Sequence, residues 1–323
     1  MAMDPMFTNG IIAVKEKYFL RDKLSRMCEM GAEDAFRLLL ESGFGQGAGA
    51  DSYHEYEALL EADEKDIDKF IRDFAPSAAE AEYLLAPRDF HNAKAIVKAD
   101  VMGVPADSML APDGNVPAEK IQQAYISEDT DELPEEMGKA FAEAKEYLAN
   151  GDKEGAEIGI IFDKALYRHL ASSCRRPAIL KKFVAEKADM QNILTCMRSS
   201  SMDYAKKYLL DGGSLKERKL AKLFESEDEG MKAMSGTGLE SFARMCYDAK
   251  AEKKPLSEAE KVLESYETDA LAKNRFDLKA SEPFMYYIFR RRAENENVRI
   301  VMASLIAGMP EKWIKERLRG VQS

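Results

Sequence analysis

Asp89-Phe-His-Asn92-Ala-Lys-Ala-Ile-Val97, Asp189-Met-Gln-Asn192-Ile-Leu-Thr-Cys-Met197 and Glu294-Asn-Glu-Asn297-Val-Arg-Ile-Val-Met302 are three versions of one pattern. Each has an acid, two residues, an asparagine and then a helical apolar stripe. The acids stand 100 and 105 positions apart in a chain of 323 residues, so three copies account for nearly all of it. Self-similarity at a fixed period is the mark of a repeat architecture. A threefold repeat implies a shaped scaffold before it implies an active site.

Helical periodicity continues outward from each acid. Apolar positions at three- and four-residue spacing predict helices over 18–30, 32–40 and 56–74 ahead of the first signature helix. In the second copy they predict helices over 137–148, 158–170 and 178–198, and in the third over 239–250, 257–272 and 284–307. Gly103-Val-Pro105 and Gly308-Met-Pro310 each set a helix-stopping glycine two residues before a proline suited to a new first turn. Ser199-Ser-Ser201 is the polar break in the second copy, and short helices are expected at 105–110, 202–210 and 310–318. The acidic, Pro- and Gly-bearing stretch 112–134 reads as a loose connection. Helix formers dominate, with 43 Ala against 10 Val and 5 Thr, so the fold class is all-α. The expected divisions are a leader over 1–8 and helical repeats over 9–112, 113–213 and 214–323.

On a helix turning about 100° per residue, the acid, the asparagine and the apolar positions share one arc of about 140°. A carboxylate and an amide beside a buried stripe are costly unless hydrogen-bonded. Asp89, Asn92, Asp189, Asn192, Glu294 and Asn297 are therefore candidates for a structural clamp on backbone groups of the preceding loop or of the next copy. The positions five and nine after each acid fall away from the stripe. They place at least one basic residue per copy outward, and Lys94, Lys98, Arg198 and Arg299 become candidate partner contacts. Trp313, the lone tryptophan, either packs one side of a short amphipathic helix or anchors a partner.

A net charge of -11 argues against nucleic acid. The charge is uneven: residues 51–163 carry 10 Lys+Arg against 28 Asp+Glu, whereas residues 165–222 carry 13 against 5. The basic stretches either meet an acidic partner or complement the acidic ones within the fold. Cys28, Cys174, Cys196 and Cys246 have no CxxC spacing and read as inert reduced thiols. The longest apolar run, 300–309, is far short of the roughly 20 residues a membrane span requires. No phosphate-binding loop, HExxH or nucleophile elbow is present, and the pattern calls for no cofactor, metal or catalytic residue.

The run Glu282-Pro-Phe-Met-Tyr-Tyr287, then Arg292-Ala-Glu294-Asn-Glu-Asn297-Val-Arg-Ile300, then Gly308-Met-Pro310-Glu-Lys-Trp-Ile-Lys-Glu-Arg-Leu318 resembles the C subunit of bacterial and archaeal V/A-type rotary ATPases. The eukaryotic counterpart is the d subunit. Tyr83-Leu-Leu-Ala-Pro-Arg-Asp89-Phe-His-Asn92-Ala-Lys94 and Ala35-Phe-Arg-Leu-Leu-Leu-Glu-Ser-Gly-Phe-Gly45 resemble the same family's N-terminal third. The resemblance implies three bundles in pseudo-threefold arrangement forming a funnel or socket. Its expected partners are the central shaft subunits and the membrane proteolipid ring. It also implies a non-catalytic rotor subunit, peripheral on the cytoplasmic side, that couples shaft rotation to H+ or Na+ transport. The competing expectation is a soluble α-helical repeat scaffold that binds other proteins.

Overall fold

The computed structural model describes residues 4–16, 19–20, 22–112, 114–151, 155–277 and 279–318. Its first helices are α1 (Pro5–Lys15), α2 (Asp22–Met27), α3 (Ala32–Glu41), α4 (Tyr56–Phe74) and α5 (Ala78–Met102). They are followed by α6 (Ala118–Ser127), α7 (Glu135–Ala149), α8 (Gly155–Ser173), α9 (Ala178–Arg198) and α10 (Met202–Ala205). The last are α11 (Glu217–Ala221), α12 (Glu227–Met234), α13 (Glu240–Ala251), α14 (Ser257–Leu271), α15 (Glu282–Ile306) and α16 (Glu311–Lys315). No strand occurs among the described residues, and the fold is all-α.

The chain divides into two compact units. The first joins Met1–Ala78 to Glu264–Ser323, and the second is Ala79–Leu263. In the first unit, α15 packs along α4 and also meets α1, α2 and α3. One core there gathers Leu20, Leu24, Met27, Phe36, Leu39 and Leu59 with Val298, Val301, Met302 and Ile314 from the far end of the chain. In the second unit, α7 lies along α8, while α9 meets α8, α11 and α13. Its core includes Phe90, Ile96, Ile121, Met137, Phe141 and Phe162.

The signature helices are α5, α9 and α15. Gly103 and Gly308 end α5 and α15 with φ of 67° and 70°. The next amides turn back to the helix, Val104 N–H to Ala99 O at 3.0 Å and Met309 N–H to Ser304 O at 2.9 Å, which satisfies carbonyls the helix ends would leave open. After α9 the Ser201 hydroxyl instead caps Tyr204 N–H at 3.3 Å. The segments expected as short helices after α5 and α9 are reduced to a turn at Asp107–Met109 and to α10 with a further turn at Lys206–Tyr208.

Residues 5–8 form the first turn of α1, capped by Asp4, with Thr8 buried and its hydroxyl donating to Phe74 O at 3.2 Å. One expectation changes. The stretch 112–134 is not a loose connection: it contains α6, and Ile121 of that helix is fully buried.

Phe162 has 0% exposure at the centre of the second unit's core. Phe162→Ala should lower unfolding free energy by about 3–5 kcal/mol, read from the denaturant midpoint. A shift below about 1 kcal/mol would mean this core is not packed as described.

Candidate functional site

The repeated acid and asparagine grip segments that lead into helices. Asp89 accepts from the backbone N–H of Asn115 at 2.9 Å and of Val116 at 3.1 Å. Asn92 pairs with Ala111 through both backbone groups, donating to its O at 3.2 Å and accepting from its N–H at 2.7 Å. One repeat later, Asp189 accepts from Ser214 N–H at 3.0 Å, Ser214 Oγ at 2.6 Å and Leu215 N–H at 2.9 Å. Asn192 makes the same two-way pair with Leu210, at 3.0 and 2.7 Å. An amide side chain that satisfies both the N–H and the C=O of one residue fixes it as a strand partner would.

The loops come very close to these carboxylates. A Cβ placed on Gly114 would overlap the Asp89 carboxylate and the Leu85 carbonyl, and one on Gly213 would overlap the Asp189 carboxylate. Glycine is needed here because the backbone itself lies against the acid.

The third acid reaches back to the beginning of the chain. Glu294 accepts from Leu20 N–H at 2.7 Å and from Arg291 at 2.9 Å. Asn297, three residues on, is buried. In all three clamps the last donor lies two residues before a helix: Val116 before α6, Leu215 before α11 and Leu20 before α2. The common target is the stretch of loop backbone just ahead of a helix, whose N–H groups have no secondary-structure partner.

Around Glu294 the clamp joins a buried ionic network between α4 and α15. Arg291 bonds Asp63 as well as Glu294, and Arg292 faces Glu64 at 3.3 Å and Asp68 at 3.7 Å. Asn295 donates to Glu64 at 3.3 Å. The rings of Phe19 and Phe44 lie 5.5 and 5.6 Å from the Arg291 guanidinium, shielding it from water. Burial pushes the Glu294 carboxyl up to about 7, against the opposing pull of Arg291, and pushes Asp68 and Asp89 up to about 6. Asp63 is also raised, again by burial.

The candidate partner contacts are placed as follows. Lys94 is half-buried and pairs with Asp163 at 2.8 Å, and Lys98 is half-buried. Exposed Arg198 pairs with Glu260, and exposed Arg299 with Glu57 at 3.3 Å and Glu296 at 2.8 Å. Leu194, expected to face away from the stripe, is 1% exposed because α9 is packed on several sides. Trp313 is half-buried against the first unit's core, and Arg317 stacks over its ring 3.4 Å from the centroid. Sequence alone did not single out Gly114, Gly213, Asp63, Glu64 or Asp68. The signal for the glycines was their matching place, 25 and 24 residues after an acid. Among the described residues no group of His, Cys, Asp and Glu could hold a metal ion. Two clefts, of 260 and 370 Å³, are open to solvent, one of them beside Glu143, Tyr147, Glu157 and Lys164, the other beside Phe36, Arg37, Leu40 and Tyr53. No helix is long and apolar enough to cross a membrane among the described residues.

A family model described as ATP synthase (C/AC39) subunit matches residues 8–317. The chain is similar to the V-type ATP synthase C subunit of Thermus thermophilus, 24% identical over 248 residues that cover 73% of this chain and 76% of that protein. It is also similar to the V-type sodium ATPase C subunit of Enterococcus hirae, 24% identical over 183 residues, 55% of each chain.

Asp189→Asn keeps the shape but turns an amide nitrogen, which cannot accept, toward donors of the loop, so it should cost about 1.5–3 kcal/mol of stability. Gly213→Ala should cost about 1–3 kcal/mol by forcing the loop off the carboxylate. Equal stability of either variant and wild type, by denaturant unfolding, would show that the clamp holds nothing.

A second prediction concerns pH. Carboxyls whose folded-state pKa is raised bind more protons folded than unfolded, so their stabilisation is complete below their unfolded pKa. It is lost as pH rises through about 6 to 7. The melting temperature should fall as pH is raised through that range. Glu294→Gln, which removes the largest raised group, should flatten that fall; an unchanged slope would contradict the assignment.

Proposed function

The chain belongs to the ATP synthase (C/AC39) subunit family, and from that premise we propose that it is the rotor coupling subunit of a V/A-type ATPase. A subunit of this family is a non-catalytic part of its complex. In this reading the chain receives the tip of the central shaft and sits on the membrane proteolipid ring, peripheral on the cytoplasmic side. ATP hydrolysis elsewhere in the complex turns the shaft, the subunit turns with it, and the ring carries H+ or Na+ across the bilayer. Run backwards, the ion gradient drives synthesis.

The observation that carries the proposal is the family match over 8–317. The clamps add physical support. A part that passes torque needs stiffness, and each clamp ties a loop to a helix by charge-assisted bonds, which are among the stronger kinds. The succession of clamps also supports three kindred modules, 9–112, 113–213 and 214–323. The first acid grips the start of the second module, the second grips the start of the third, and the third grips the first. Within this reading Arg198 and Arg299, whose exposed ion pairs can exchange for a partner's carboxylates, are the contacts to test, together with Lys94, Lys98 and Trp313.

A pull-down with purified shaft subunits and with the proteolipid ring tests the proposal. The rotor reading expects one chain to hold both at once. Binding to neither, with the chain remaining in the supernatant of a membrane fractionation, would favour the soluble scaffold.

A further inference from the structure

Arg175 and Arg176 occupy the turn from α8 into α9, and Lys181 and Lys182 follow in the first turns of α9. All four are exposed. Lys182 faces Glu186 at 3.8 Å, but Arg175, Arg176 and Lys181 have no ion-pair partner among the described residues. Exposed Lys207, Lys216 and Arg218 likewise have no ion pair among the described residues, but they do not stand side by side with two arginines in one turn, and other cations of the same basic stretch are paired. Arg168 holds Glu136 and Asp211, Arg198 holds Glu260, Lys206 holds Glu217 and Lys222 holds Glu225. The other two signature helices open with an acid, Glu80 in α5 and Glu282 in α15, whereas the first turn of α9 has none. A local concentration of uncompensated positive charge thus stands on a chain whose net charge is -11.

We propose that Arg175, Arg176 and Lys181 form a docking surface for an acidic segment of a partner protein, the two guanidiniums gripping carboxylates in forked pairs. The chemistry favours carboxylates on a protein over an anionic bilayer for three reasons. Two of the three cations are arginines, whose planar donors match a carboxylate two by two. The flanking sequence offers nothing to insert into lipid: among the described residues no exposed large apolar side chain lies between Ile126 and Tyr204 along the chain. An extended bilayer would also feel the chain's overall negative charge, whereas a short acidic segment feels mainly what lies within a Debye length of about 8 Å. The inference does not rest on the rotor reading, since it specifies the chemistry of the partner and not its identity.

The test uses the full chain with a fluorescent oligoglutamate peptide and, separately, vesicles of phosphatidylserine and phosphatidylcholine. Fluorescence anisotropy should show the peptide bound, with affinity falling as salt rises from about 0.01 M to about 0.15 M. Arg175→Glu/Arg176→Glu/Lys181→Glu should weaken it at least about tenfold with an unchanged melting curve. Arg175→Lys/Arg176→Lys, which keeps the charge but not the fork, should weaken it by less. Peptide affinity that is the same in wild type and the charge-reversed variant overturns the proposal. So does vesicle binding that is lost on charge reversal while the peptide does not bind. Neither result would bear on whether the shaft and ring are bound in the pull-down.

Discussion

A buried carboxylate gripping the N–H groups of the loop just ahead of a helix is the interaction on which this structure depends. Each half of that arrangement is unfavourable alone. A carboxylate removed from water without partners costs several kcal/mol or changes its protonation, and a loop packed against a helix leaves backbone N–H groups without acceptors. Brought together, the two requirements cancel, and the connection between one segment and the next is fixed in register. The asparagine three residues on fixes a second point, Ala111 in one case and Leu210 in the other. A loop held at two points by one helix face has little freedom left. This explains why polar residues recur beside an apolar stripe, and why glycine stands at 114 and 213, where the backbone lies against the acid.

The third clamp solves the same problem with a different side chain and a different neighbour. Glu replaces Asp, adding one methylene of reach, and the donor is Leu20, 274 residues away in the chain. Closing contacts over so long a separation delays folding more than it weakens the folded state, because loop entropy grows only slowly with length. The surroundings are also more highly charged. Asp63, Glu64, Asp68 and Glu294 share Arg291 and Arg292. Burial accounts for the raised carboxyls, and at Glu294 the charge of Asp63 adds to it against the pull of Arg291. The closure of the first unit is consequently the part of the protein most sensitive to protonation.

Much of this was legible in the sequence, and the boundary of what was not has a physical reason. The three signatures, their helices and the glycine stops after α5 and α15 follow from local periodicity and cap chemistry, and these depend on neighbouring residues only. The need for hydrogen-bond partners at Asp89, Asn92, Asp189, Asn192 and Glu294 followed from their place on the apolar arc. The identity of those partners did not, because Asn115, Ser214 and Leu20 are brought there by tertiary packing. The orientation of basic residues was the least legible feature. A helical wheel assumes one buried face, but α9 is packed on more than one, so Leu194 is buried where the wheel turned it outward. Lys94 and Arg299 found carboxylates in α8 and α4 that no local pattern could assign to them. The acidic stretch 112–134 looked loose from its Pro, Gly and Asp content, yet Asp89 grips Asn115 and Val116 near its start and Asn92 holds Ala111 just before it.

Hydrogen exchange read amide by amide at Val116, Leu215 and Leu20 tests the central claim most directly. The account predicts slow exchange at all three in the wild-type chain. It also predicts a selective loss of protection at Val116 in Asp89→Asn, at Leu215 in Asp189→Asn and at Leu20 in Glu294→Gln. Fast exchange at these amides in the unaltered protein, at the rate of an open loop, would contradict it.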